Sequence, residues 1–251
     1  MLIQTASPVT ATANLQGERW TWSQQWLDVL FLHWKVPPGW VQSLLPATLE
    51  VETHEAAAWV SIVLFRLKVR PRWLPQIPGL SSLTEINFRT YVRHSGKPGI
   101  YFLSMYADNR WAIRAAKLLT PLPYTYAQIH YRKSLLGFHV QGDNLFGSET
   151  SLSLVATPTG ESRTSACGSR DEWLLERYRA FVPDRKCRVL AAEVCHPPWV
   201  VQNVKIAALP GGDCPTFGPA PRRQPDAIHF SSGVRAQFGS FTSAASALPV
   251  V

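Results

Sequence analysis

Between Glu85 and Arg93 polar and apolar residues alternate with a period of two. Glu85, Asn87, Arg89, Tyr91 and Arg93 fall on one side of an extended chain, and Ile86, Phe88, Thr90 and Val92 on the other, because successive strand side chains point to opposite faces. The pattern predicts a strand over Leu83–His94. Gly99–Tyr106 reads as its partner, joined through Ser95-Gly96-Lys97-Pro98. Trp26–Val36 and Ala57–Val69 are dense apolar runs and predict buried strands. Tyr124–Lys133, Gly137–Gln141, Thr150–Thr157, Arg188–Val194, Asn203–Ala207 and Phe230–Phe238 read as further strands. Pro71, Pro75, Pro78 and Gly79 mark a long loop over 71–82, and the Gly/Pro-rich residues 209–226 read as irregular.

Helical signals are few. Pro38–Leu45 fits one or two turns. Asp108 or Asn109 supplies a capping acceptor for a helix to about Leu119, which Pro121 and Pro123 stop. Ser169-Arg170-Asp171-Glu172 fits a capping box and predicts a helix from Arg170 to about Phe181.

Composition narrows the class. With 251 residues, 46% of them apolar, the chain can bury a sizeable core, and ten Trp with twenty Pro suit a loop-rich β protein better than a helical bundle. Neither a repeat nor a composition break divides it, so one domain is expected over 19–238, with loose tails at 1–18 and 239–251. The N-terminal residues lack a basic start and an apolar stretch of signal-peptide type. Ala56–Phe65 is too short to span a bilayer. A cytoplasmic protein without membrane attachment is the expectation, and a homo-oligomer is compatible with it. The four cysteines have no C-x-x-C spacing, and the seven histidines never fall two or four apart. No metal site, nucleotide loop or serine-hydrolase elbow is indicated, and no cofactor is expected.

Candidate chemistry clusters in three places. The polar face of Leu83–Arg93 meets either water or the inside of a closed barrel, where Glu85, Asn87 and Arg89 would orient a polar ligand. Tyr124 and Tyr126 alternate on a later strand, and a buried phenol needs a partner. Lys117 lies near a helix end, and a lysine becomes nucleophilic near neutral pH only when desolvated. The net charge of +8 permits anionic partners. Arg66, Lys68, Arg70 and Arg72 share one strand face, read first as protection of a sheet edge. Aromatic interleaving there is limited to Trp73, so nucleic acid is disfavoured.

Phe31-Leu32-His33-Trp34, Leu44–Glu50, Glu85–Val92, Leu122-Pro123-Tyr124, Glu176-Arg177-Tyr178 and His196-Pro197-Pro198-Trp199, in this order over residues 20–235, resemble the YqjF-like family of uncharacterised proteins (domain of unknown function 2071). That family falls in the acetoacetate-decarboxylase-like superfamily. Leu45–Glu50, Thr84-Glu85 and Tyr106–Pro123 resemble acetoacetate decarboxylase itself. The resemblance implies an α+β fold, an antiparallel-rich conical β-barrel with flanking helices around an apolar cavity. It also places Tyr124 and Thr125 where the enzyme carries two lysines, one of which forms the imine. Leu27 stands where the enzyme has a carboxylate-binding arginine. Glu85 is the retained catalytic-type residue.

The expected partner is therefore a small organic molecule in an internal cavity, without Schiff-base chemistry. Two roles stand open. One is a binding protein that catalyses nothing. The other is an enzyme with Glu85 as general acid/base and Tyr124 polarising a carbonyl, which a hydrogen-bonded Tyr–Glu pair in a dry pocket would favour. A third, a scaffold or nucleic-acid protein, would use the Arg66–Arg72 face.

Overall fold

The computed structural model describes residues 20–135, 137–145, 150–184, 188–208 and 224–244. In chain order these form β1 (Trp20–Val36), α1 (Pro38–Ser43), β2 (Glu50–Val51), β3 (Thr53–His54), β4 (Ala57–Pro71), β5 (Ser82–His94), β6 (Lys97–Ala107) and α2 (Arg110–Leu119). Then follow β7 (Tyr124–Tyr126), β8 (Gln128–Ser134), β9 (Gly137–Leu145), β10 (Thr150–Thr164) and α3 (Arg170–Leu175). The last strands are β11 (Arg179–Pro183), β12 (Val189–Cys195), β13 (Val200–Ala208), β14 (Ala227–Gly239) and β15 (Thr242–Ser243).

Strands β12, β11, β6, β5, β4, β1 and β14 are hydrogen-bonded in that order. Pairing of Val194 with Phe238 and Cys195 with Gln237 joins β12 back to β14 and closes the ring. Every contact in the ring is antiparallel except β11 with β6. β13, β10, β9 and β8 continue from β14 as an arm. The expected antiparallel-rich closed architecture is present.

The arm explains why β4 is apolar on both faces. Val63, Phe65 and Leu67 pack with residues of the other ring strands. Val60, Ile62 and Leu64 pack instead with Ile129, Phe138, Val140, Leu152 and Leu154 of the arm. A strand buried on both sides reads as a continuous apolar run. β5 differs on one side only: Ile86 and Phe88 join the arm-facing core, while Glu85 and Asn87 are buried on the ring side.

One bulge reverses the face of β1. Asp28 has φ 51°, and pairing with β4 shifts register between Leu27 and Leu30. Gln24 and Trp26 line the ring interior before it, and Val29 and Phe31 after it, since an extra residue changes strand parity. Opposite sits Gly233, at φ 129°, where a Cβ would fall 2.0 Å from the Trp26 carbonyl oxygen. Only glycine tolerates both that angle and that approach. The buried Asp28 carboxylate accepts from Arg66 and Lys133, and those bonds hold it below its ordinary pKa although burial opposes them.

Several sequence expectations change. The helix from Arg170 ends at Leu175 rather than near Phe181, and Arg179–Pro183 is strand β11. Ala180 and Phe181 fill a slot beside Ile100 and Tyr101, so ring closure overrides a weak local helix signal. The run Tyr124–Lys133 is two strands: β7 follows β6 in parallel, and β8 leaves to pair with β9. β4 is not a sheet edge through Lys68, since β1 and β5 flank it to there, so edge protection does not explain Arg66 and Lys68. The end expected to fray from 239 carries β15, paired with β12. The 1–18 tail and most of 209–226 lie outside the described residues. Among the described residues no helix is long and apolar enough to cross a membrane.

Candidate functional site

The ring encloses a cavity of about 60 Å³ to which all seven of its strands contribute side chains. Its wall is mostly apolar, with Trp26, Phe31, Phe65, Phe102 and Trp199 prominent, and its polar groups include Glu85, Asn87, Arg89, Tyr124, Arg177 and His196.

Local structure places Tyr124 beside Glu85. Asn109 caps α2 by accepting from Trp111 N (3.1 Å) and Ala112 N (3.0 Å). At the other end Thr120 N donates to Ala116 O, and the proline-bearing turn returns the chain parallel to β6. Tyr124 thereby lies beside Met105, and Glu85 pairs with Ala107 two residues on. Asp108 fixes this corner: its Oδ1 accepts from Thr84 N at 2.9 Å. The Tyr124 hydroxyl donates to Glu85 Oε2 at 2.8 Å, and Asn87 Nδ2 donates to Glu85 Oε1 at 3.1 Å.

Burial dominates the electrostatics. It raises the Glu85 carboxyl from 4.5 to about 7, against the two hydrogen bonds that favour its ionised form. Burial, then the Glu85 charge, pushes the Tyr124 phenol well above its ordinary value, so it remains a donor. Among the described residues, three polar atoms around the same space have no hydrogen-bond partner: Asn87 Oδ1, Arg89 Nε and Arg177 Nη2. Arg177 is nevertheless anchored, because its Nη1 donates to Glu52 Oε2 at 2.7 Å. Glu52 also accepts from Arg93 Nη2 (2.8 Å) and Trp173 Nε1 (3.3 Å). Arg89 has no carboxylate within ion-pair distance among the described residues, and its guanidinium sits 5.7 Å from the Phe31 ring centre. Burial lowers its pKa.

Glu85, Asn87, Arg89 and Tyr124 are thus brought together. Two other expected ligand residues are not. Tyr126, at the rim two residues beyond Tyr124, lies under the Arg110 guanidinium at 4.1 Å and lines a separate depression with Arg66 and Lys68. Lys117 is exposed near the end of α2, whose buried side is carried by Ile113. The basic face is partly neutralised: Arg66 is held by Asp28, and Arg72 lies over Trp20 and Trp73.

Three residues at or near the wall were not singled out for chemistry by the sequence. Arg177 falls in a segment expected to be helical, although its block belongs to those carrying the resemblance. His196, brought below its ordinary value to about 4 by burial, lies 5.1 Å from Trp199, which stacks on Trp26 at 5.7 Å. Glu52 carries no local signal. Behind the wall, His33 Nδ1 lies 2.7 Å from Ser61 Oγ, itself 2.8 Å from the Tyr91 hydroxyl, which donates to the Leu174 carbonyl at 3.0 Å. This network ties β1, β4 and β5 to the end of α3. Burial holds His33 well below its ordinary pKa, so it is neutral.

The closed ring of seven strands has the fold of acetoacetate-decarboxylase-like proteins. An acetoacetate decarboxylase-like enzyme from Sphingomonas wittichii RW1 superposes with a TM-score of 0.60 at 13% identity, over 89% of this chain and 92% of that one. The enduracididine biosynthesis enzyme MppR complexed with pyruvate gives 0.54 at 15% identity, over 94% and 96%. At such identities the likeness shows the fold. The chain itself belongs to DUF2071, a family of uncharacterized conserved proteins whose pattern matches residues 23–235. The uncharacterized protein YqjF of Bacillus subtilis (strain 168) is 37% identical over 187 residues, covering 74% of this chain and 77% of that protein.

Proposed function

We propose that the ring cavity binds a small organic acid and that Glu85 and Tyr124 give it acid–base chemistry without an imine. The observation that carries this is the 2.8 Å Tyr124–Glu85 hydrogen bond inside an apolar cavity. It favours an enzyme over an inert binder, because a carboxyl raised to about 7 exchanges protons near neutrality. Arg89 and Arg177 supply unpartnered donors for a carboxylate, and MppR, of the same fold, is seen with pyruvate.

The reaction class is proton transfer at the carbon next to a carbonyl. Arg89 Nε and Arg177 Nη2 hold the carboxylate. Glu85, ionised, removes the proton, and the electron pair of the C–H bond moves onto the carbonyl oxygen. As Glu85 becomes neutral its demand on the Tyr124 hydrogen bond falls, and the phenol turns to the new enolate oxygen. Return of a proton from Glu85 to carbon completes an exchange. Alternatively, neutral Glu85 protonates a hydroxyl on the next carbon, which leaves as water as the enolate collapses to the carbonyl and a C=C bond forms, completing a dehydration.

The test is proton NMR of pyruvate and 2-oxohexanoate in D₂O with wild-type protein and Glu85→Gln. Exchange at carbon 3 above the buffer rate, reduced about 10²-fold or more in the variant, is expected. Binding without exchange would return the chain to the plain binding role. Exchange unaffected by Glu85→Gln would remove Glu85 as the base.

A further inference from the structure

The cavity does not end at Tyr124. An apolar groove of about 230 Å³ adjoins it beneath α2, walled by Leu67, Leu83, Ala112, Ala116 and Leu119 among others. Gln24, Leu122, Tyr124, Phe238 and Phe241 line both spaces and form the waist between them. No charged residue among the described residues lines the groove. Leu74, Ile77 and Leu119, at its outer margin, are exposed at 52%, 43% and 63%.

The two spaces are chemically opposite. The inner one holds two arginines with unpartnered N–H donors, only one of them anchored on a carboxylate. The Arg89 guanidinium disfavours the charge on Arg177, so an anion at these two donors is attracted by both. The groove offers a ligand mostly apolar surface, its polar side chains being Gln24, Ser81, Thr120 and Tyr124, and no charged side chain among the described residues lines it to meet a phosphate or a second charge.

We infer that the natural ligand is an amphipathic monocarboxylate: its carboxylate lies at Arg89 and Arg177, and its unbranched apolar tail passes the Tyr124–Phe241 waist into the groove under α2. This rests on the organic-acid reading above and deepens it. It also gives the groove an occupant that explains its composition, since burying apolar surface drives such binding without directional partners. The functional carbon of such a ligand sits between the arginines and the waist, beside Glu85.

The test is isothermal titration calorimetry of the full chain with straight-chain carboxylates from butanoate to decanoate, below their micellar concentrations. Affinity is expected to rise about fourfold per added methylene until the groove is full. Ala115→Trp, on the groove wall, is expected to bring decanoate back toward hexanoate while leaving butanoate unchanged, which also shows that the variant is folded. Octan-1-ol is expected to bind at least tenfold more weakly than octanoate. Equal affinity for butanoate and decanoate would overturn the tail assignment and leave the organic-acid reading standing. A chain-length dependence untouched by Ala115→Trp would place the tail elsewhere and overturn it too. Octan-1-ol binding as tightly as octanoate would overturn the head assignment. No binding of any carboxylate would overturn both this inference and the reading beneath it.

Discussion

The Tyr124 hydroxyl and Glu85 Oε2 are 2.8 Å apart although 39 residues separate them in the chain. α2 creates the contact by carrying the chain from the end of β6 back to a position parallel with it. The pair couples two groups that burial pushes in the same direction: both the carboxyl and the phenol are raised. The proton they share is therefore held in a place where Glu85 is nearly balanced between its two forms at neutral pH.

That balance has a stability consequence. Glu85 is raised from 4.5 to about 7 in the folded protein, so the native state binds its proton more tightly than the unfolded chain. The resulting stabilisation is complete below about pH 4.5 and is lost as pH rises through 7. Glu85→Gln has no such dependence. Its amide accepts from Tyr124, and a half-turn of the Asn87 amide offers the unpartnered Oδ1 to the new NH₂ group. Between pH 4.5 and 8 the variant is expected to gain about 3 kcal/mol relative to wild type. Urea denaturation of both proteins across this range checks the sign and size.

Removing the other partner acts in the opposite sense. Tyr124→Phe deletes a hydrogen bond that favours ionised Glu85, leaving Asn87 as the remaining side-chain donor to that carboxylate. Glu85 is expected to shift further upward, and the acidic limb of any proton-exchange profile moves to higher pH with it. The stability cost is expected to be about 1–3 kcal/mol at pH 8, where the carboxylate is charged, and smaller at pH 5. An unchanged profile would mean that the phenol does not tune the carboxyl.

Much of this was legible in the chain because β5 is strictly two-periodic around its polar residues. Glu85, Asn87 and Arg89 could be assigned a common face from spacing alone, and the resemblance identified Tyr124 as a candidate partner. Spacing could not decide whether that face met water or an interior, because the answer depends on β12 closing against β14 far along the chain. The same closure turned the segment after Leu175 from helix into β11 and brought Arg177 to the cavity. The Asp28 bulge was equally hidden: it moves Leu27 to the outer depression lined by Arg66 and Lys68, and no periodicity marks it. Lys117 and Tyr126 stand close to Tyr124 in sequence, but a helix end and a strand rim do not preserve that closeness in space.

Schiff-base chemistry is expected to be absent. Tyr124 and Thr125 occupy the positions at which the resemblance puts lysines, and neither a phenol nor a hydroxyl forms an imine. Lys117 is exposed near the end of α2 and does not line the cavity. Borohydride reduction in the presence of acetoacetate or pyruvate should leave the protein mass unchanged. A reduced adduct mapped to Lys117 would show that α2 moves to deliver a displaced nucleophile.

Arg89 supplies the sharpest separation of stability from function. It lies against the cavity with its Nε unpartnered, and burial disfavours its charge. Arg177 faces the same space but is compensated by Glu52 at 2.7 Å. Tyr91 favours the Arg89 charge but is a neutral phenol, and a guanidinium without a carboxylate costs the ligand-free protein stability and is kept where an anion will complete it. Arg89→Met fills similar volume without charge and retains contact with the Phe31 ring. The ligand-free variant is expected to be more stable than wild type by about 1–3 kcal/mol, the usual cost of a buried polar group left without a partner. It is also expected to lose carboxylate binding, because Arg177 alone is already neutralised. Thermal unfolding of the ligand-free proteins, beside calorimetry with a carboxylate, reads both effects. A lower Tm together with intact binding would make Arg89 a structural residue and would leave the cavity without its anion anchor.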